Sequence, residues 1–189
     1  MPLTPLHIAF AWPFRMRFKV LNAAALTAGA LVPDIEPLVY NILGVYPDRL
    51  MLHSLAGAMS VDILLSLVIL KMLSYARLER IGVNGLDKLD LFGMPVLFSA
   101  AVGSLSHVLV DSLHHDHNPL FWPLEPAYFT GPLVTAVGNP LATNLMSIVA
   151  LTMIFLIVRK IMKKEGYGLA LFFTNPIKAV SLLTNALRD

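Results

Sequence analysis

The chain has 189 residues, which fits one compact domain, and its apolar fraction is 57% with only 14% charged residues. With a mean hydropathy of +0.71, water is not its only solvent. It contains no Cys, which excludes disulfides, thiolate zinc sites and thiol nucleophiles together, and leaves His and carboxylate to hold any metal. The net charge is +2, and Lys and Arg gather at the ends of apolar segments; a nucleic-acid binder would carry them as a stripe on one face.

Residues 3–14 are apolar but too short to cross a bilayer, and they predict a half-depth or interfacial helix with Thr4 as cap and Pro5 at its first position. Residues 1–30 lack the order of a cleaved signal, because the basic run Arg15, Arg17, Lys19 follows the apolar stretch, so the N-terminus reads as mature. Residues 20–33 are apolar, stop at Pro33-Asp34 and resume from Ile35 to Val45. Segment 55–73 predicts a helix interrupted only by Asp62. Residues 74–90, with Arg77, Glu79, Arg80, Asp87, Lys88 and Asp90, predict a solvated loop. Segment 91–113 predicts a third helix, 114–140 is rich in Pro and Gly and predicts irregular chain, and 141–158 predicts a last span closed by Arg159, Lys160, Lys163 and Lys164. The tail 168–187 is apolar but broken at Asn175-Pro176.

The basic residues at 15–19, 71–88 and 159–164 mark one side as cytoplasmic. Asp34, Glu36, His53, Asp111, the His114–His117 cluster and Glu125 then fall at the opposite ends of the spans. At 1.5 Å per residue, Lys19–Asp34 rises about 22 Å and Asp90–His107 about 25 Å, which places these groups near or just under the far headgroups. His7 precedes the basic run, and a short helix from Arg15 lifts it about 12 Å toward the same level.

Ionisable residues in so apolar a chain point to function with a named partner. His107 and Asp111 are four residues apart on a predicted helix, so both leave one face a turn apart, as two ligands of one cation would. The competing reading is a buried pair capping the helix end. His114 shares their face and is the third candidate ligand; His115 and Asp116 follow, and a His or Asp of this kind outside the ligand set would move a proton. Asp34 is preferred to Glu36, because positions two apart lie about 200° apart on a helix and only one of them reaches a given ion; as a competing reading, Asp34 caps the next segment. His53, ahead of Ser54, and His7 complete the candidate metal set of His7, Asp34, His53, His107, Asp111 and His114. Asp62 falls on the helix face opposite His53 and reads as a buried polar partner. Arg49 and Arg15 are candidates for contact with phosphate, although membrane anchoring explains Arg15 as well.

TPLHIA at 4–9, GALVPDIE at 29–36, HS at 53–54 and GSLSHVLVD at 103–111 with a downstream Trp122-Pro123 resemble a family of inner-membrane-bound, metal-dependent hydrolases and its uncharacterised relatives. That family is distantly similar to zinc-dependent phospholipase C and P1 nuclease, all-helical bundles with a polynuclear zinc site. The resemblance covers roughly residues 1–125 and implies metal-binding roles for His7, Asp34, His53, His107 and Asp111. Where the family carries a His-Arg-Gly run ahead of the HS element, this chain has Pro47-Asp48-Arg49-Leu50-Met51-Leu52.

The expected protein is an all-α integral membrane helical bundle, with about four transmembrane helices plus short re-entrant or interfacial helices. Residues 1–165 form one membrane-embedded metal-site domain, and 166–189 an interfacial or partly embedded C-terminal helix. The expected cofactor is a divalent metal, with Zn²⁺ leading and Mn²⁺ or Fe²⁺ compatible with the same ligands. The expected activity is metal-dependent hydrolysis of a lipid or lipid-linked substrate near the non-cytoplasmic face of the inner membrane, and the resemblance supplies the phosphoester class. The expected partners are the lipid bilayer and that substrate, with no nucleic acid. The rival is a non-catalytic membrane protein with a structural, regulatory or transport-related metal.

Overall fold

Proline, glycine and short polar residues divide the apolar sequence into helices of very unequal length. A 3-10 turn at Thr4–His7 leads into α1 (Ile8–Arg17). Asn22 caps α2 (Ala23–Leu31) by accepting a hydrogen bond from the Ala25 N–H at 2.9 Å. Pro33 tightens the chain into a 3-10 turn, Val32–Asp34, before α3 (Ile35–Leu43), which ends at Gly44 in the left-handed region that glycine adopts without strain. Ser54 caps α4 (Leu55–Ala58), and α5 (Val61–Tyr75) follows. Next come α6 (Met94–His114), α7 (Pro132–Val137), α8 (Asn139–Lys164), α9 (Leu171–Thr174) and α10 (Pro176–Arg188).

This is a computed structural model that describes residues 4–76, 86–124 and 128–188. Among them the regular structure is helical, apart from one isolated bridge between Asn118 and Phe129. Most of the charged loop expected at 74–90, with Arg77, Glu79 and Arg80, lies outside the described residues, as does Glu125.

Among the described residues two helices are long and apolar enough to cross a membrane, α6 with 21 residues and α8 with 26, where the sequence predicts about four spans. The shortfall has a local cause in each case. Pro33 divides residues 20–45 into two nine-residue helices of about 14 Å each, and segment 55–73 breaks at Met59-Ser60, leaving α5 with 15 residues and about 22 Å. The α4–α5 break follows Gly57, where a Cβ would collide with the Met51 carbonyl.

At the centre, α6 packs against α2, with α1, α5 and α8 around them. The α2–α6 contact is made by small residues, as in membrane helix pairs. A Cβ on Gly29 would run into the Ala100 carbonyl, and one on Gly103 into the Leu26 carbonyl, so the two backbones touch at both levels. The Asn22 N–H donates to Ser99 Oγ at 2.7 Å and ties the helices again near the start of α2. By contrast, α8 is buried over only 11% of its most apolar window and exposes Ile148, Val149, Leu151, Phe155 and Leu156, the surface a lipid-facing helix presents. The tail forms α9 and α10, divided at Asn175-Pro176, and α10 rests on α8 and α2.

Two expectations follow. Gly29→Val forces α2 away from the Ala100 carbonyl and should cost about 1–3 kcal/mol or more, read as a lower unfolding temperature in detergent, while Gly168→Ala, in open space, should change little. Because α6 separates Lys88 from Leu124, both exposed, Cys placed at each should react with an impermeant thiol reagent from opposite faces of sealed vesicles. Labelling of both from one face would remove α6 as a span.

Candidate metal centre

Asp111, one turn before the end of α6, is buried, and both of its carboxylate oxygens lack a hydrogen-bond partner. Five imidazoles point their Nε2 atoms at it. Oδ1 lies 3.3 Å from His7, 3.6 Å from His115 and 3.9 Å from His114; Oδ2 lies 3.5 Å from His53 and 3.6 Å from His107. Asp34 joins through its Oδ1, 3.7 Å from His107 Nε2. The expected metal residues His7, Asp34, His53, His107, Asp111 and His114 are therefore brought together, although they come from two 3-10 turns, the loop before α4, and α6.

Each element delivers its ligand for a local reason. His107 Nδ1 donates to the Ala30 carbonyl at 2.8 Å, a reach that the Gly29 and Gly103 contact between α2 and α6 makes possible. His114 Nδ1 donates to the Val110 carbonyl one turn back, also at 2.8 Å. His53 Nδ1 donates to Glu36 Oε2 at 3.2 Å, and the same oxygen accepts the Leu50 N–H at 2.8 Å. Carbonyl and carboxylate acceptors fix the proton on Nδ1 of these three rings, so each neutral ring turns an Nε2 lone pair to the centre. His7 stacks on His107 with centroids 3.8 Å apart. Burial, with His107 adding to it, pushes His7 down to about 3. Burial also pushes His115 down to about 3 against the pull of Asp111, with Arg49 helping to lower it. Both rings are neutral near pH 7, the state in which imidazole binds a metal.

The spacings are informative. At 3.3–3.9 Å, the contacts to Asp111 exceed a normal N–H···O hydrogen bond of about 2.7–3.2 Å. Ligand atoms about 2.0–2.1 Å from a tetrahedral Zn²⁺ stand about 3.4 Å from one another, so these spacings suit groups that share an ion. Three sets of ligand atoms lie within 4.8 Å of one another: His7, Asp34 and His107; His53, His107 and Asp111; and Asp111, His114 and His115. His53 Nε2, His107 Nε2, His114 Nε2 and Asp34 Oδ2 are buried with no hydrogen-bond partner. Such a concentration of orphaned acceptors is costly unless a cation joins them.

The residues expected to move protons are placed differently. His115 lies beside the cluster, and its Nε2 has a partner in Arg49 Nη2 at 3.5 Å. Asp116 takes the Asn139 side-chain amide at 2.5 Å and pairs with none of the cluster's imidazoles among the described ion pairs. His117 faces Tyr46 and Tyr128. Asp62 is buried and accepts from Ser104 Oγ at 2.5 Å.

Two residues carry more than the sequence suggested. Glu36, passed over in favour of Asp34, orients His53 and ties down the loop through Leu50; a carboxylate two positions from a ligand, on another helical face, is the available signal. Arg49 is buried, with Nε 3.6 Å from Asp111 Oδ2. An Arg four residues ahead of a candidate His ligand is a weak hint of this, since its burial depends on the fold.

Comparison with curated proteins gives no match, and comparison with solved structures gives none either. A family description does cover nearly the whole chain, from residue 4 to residue 183, including every residue of the cluster and both long apolar helices. The chain belongs to the YdjM inner membrane protein family.

Proposed function

We propose that this chain is a membrane-embedded, metal-dependent hydrolase acting on a phosphoester of a lipid or lipid-linked substrate. The observation that carries the reading is the convergence of orphaned imidazole lone pairs on the two oxygens of Asp111. Two ions could be held about Asp111, one by His7 and His114 on the side of Oδ1 and one by His53 and His107 on the side of Oδ2, where Asp34 lies beside His107. Zn²⁺ suits this donor set, and such an ion supplies a water acidified to a pKa of about 7 and a Lewis acid for a phosphoryl oxygen.

The protein's own groups do the rest. Arg49 holds a buried guanidinium beside the cluster, where it can take a phosphoryl oxygen. His115, the most exposed imidazole of the cluster and the one held by Arg49, moves the proton, and the half-exposed Asp116 next to it leads toward water. Membership of an inner membrane family and the apolar surface of α8 support a substrate drawn from the bilayer. The site faces the non-cytoplasmic side, as the distribution of basic residues favours.

A second reading has its own support. His107 and Asp111 are almost completely buried, as in a closed structural site, so the metal could serve stability or regulation without catalysis.

Two experiments separate these. Elemental analysis of the purified protein should find about two zinc ions per chain under this assignment. His107→Ala and Asp111→Ala should each weaken binding at least as much as the ~10–100-fold typical of residues that only orient ligands, with His117→Ala near wild type. Equal metal in all four proteins would sink the metal centre. Release of phosphate or headgroup from detergent-dispersed phospholipids and polyprenyl phosphates should vanish in Asp111→Ala, vanish with chelator in wild type, and return on zinc addition. A wild type that holds stoichiometric zinc and releases nothing favours the structural role.

A further inference from the structure

Away from the Asp111 cluster, α1 carries two side chains with buried donor atoms that have no partner among the described residues. Arg15 is 6% exposed, and its Nε and Nη1 are inaccessible to water and without a hydrogen-bond partner. Trp12 Nε1, one turn earlier, is in the same condition. Residues three apart on a helix share a face, so the two donors sit together. A buried guanidinium without an anion is among the costliest groups a protein can hold.

Trp12, one turn before Arg15, also lines a groove of about 200 Å³ with Ile8 of α1, Ile154, Ile157 and Val158 of α8, and Leu183 of α10. Its wall is apolar, and one side is formed by α8, whose most apolar stretch is largely exposed. The contacts also fix direction: Leu6 and Ala9 pack with Ala150, whereas Trp12 lies in the groove with Val158, so α1 and α8 run parallel. Their basic ends, Arg15 and Arg17 on one and Arg159 and Lys160 on the other, therefore come to the same level.

We propose that α1, α8 and α10 form a binding site for one anionic phospholipid. Its phosphate is held by Arg15 and the Trp12 indole N–H, and one acyl chain lies in the groove. The guanidinium fork matches a phosphate, the neighbouring Arg and Lys residues favour an anionic headgroup over a zwitterionic one, and the groove selects an amphiphile over a soluble anion. The site is independent of the metal centre and of any reaction there.

The test is native mass spectrometry of the full chain in detergent, titrated with dioleoyl phosphatidylglycerol, with dioleoyl phosphatidylcholine, and with glycerol 3-phosphate as the soluble anion. Wild type should retain one phosphatidylglycerol and prefer it to phosphatidylcholine by about tenfold, the worth of one charge-assisted hydrogen bond. Glycerol 3-phosphate should not displace it. Arg15→Gln should bring the two lipids to near-equal retention, and Ile157→Trp, which fills the groove and leaves Arg15 in place, should reduce retention of both. Monodisperse elution and unchanged helical circular dichroism qualify each variant; should Arg15→Gln fail them, Ile157→Trp and Trp12→Phe decide, the latter by a reduced preference. An undiminished preference in Arg15→Gln, unchanged retention in Ile157→Trp, or displacement by glycerol 3-phosphate would each overturn the proposal.

Discussion

The site rests on how closely α2 and α6 approach. With Gly29 against Ala100 and Gly103 against Leu26, the helices meet backbone to backbone, and the Ala30 carbonyl comes within reach of His107 Nδ1. That bond sets which nitrogen of His107 faces Asp111, and His107, like Asp111, belongs to two of the three groupings. In lipid, where apolar burial does not drive helices together, close packing of small residues and a hydrogen bond between helices are the available forces. The same contact that holds the bundle together therefore orients the ring at the middle of the cluster.

Several polar groups elsewhere in the bundle are paired, with Asp62 on Ser104 and Asn22 on Ser99 and Ala25. The Asp111 cluster is different in kind. His53, His107 and His114 spend their Nδ1 donors on Glu36 and on carbonyls, and what these three rings turn to the centre is a set of acceptors facing the acceptors of Asp111. Arg49 supplies one positive charge at the edge and a donor to His115 Nε2, while Nε2 of His53, His107 and His114 has no partner. An arrangement that avoids internal hydrogen bonding in this way is one that a cation could join.

Much of this was legible in the sequence. The i, i+4 spacing of His107 and Asp111 put both on one face of α6, and the topology argument brought Asp34 and His53 to their level; the structure gathers all of them, and His7, around one carboxylate. The breaks at Pro33-Asp34 and Asn175-Pro176 are where local chemistry placed them. What sequence pattern could not give is tertiary. The break between α4 and α5 depends on the packing of Gly57 against Met51, the role of Glu36 depends on a loop folding back to bring Leu50 and His53 to it, and the burial of Arg49 depends on that same loop. Apolar runs likewise counted as about four spans, whereas among the described residues α6 and α8 are the helices long and apolar enough to cross a membrane.

The position of His107, Asp111 and His114 on a single helix has a consequence for how the protein can vary. Helical pitch, not the path of a loop, sets the spacing of these three groups, because each added residue turns the helix by about 100°. An inserted residue between His107 and His114 would swing one group away from the others. The chain beyond Asp116 is tied to the same gauge, because the Gly131 N–H donates to the His115 carbonyl and a Cβ on Gly131 would meet the Leu113 carbonyl, so changes of length there must leave that closure on the end of α6 in place.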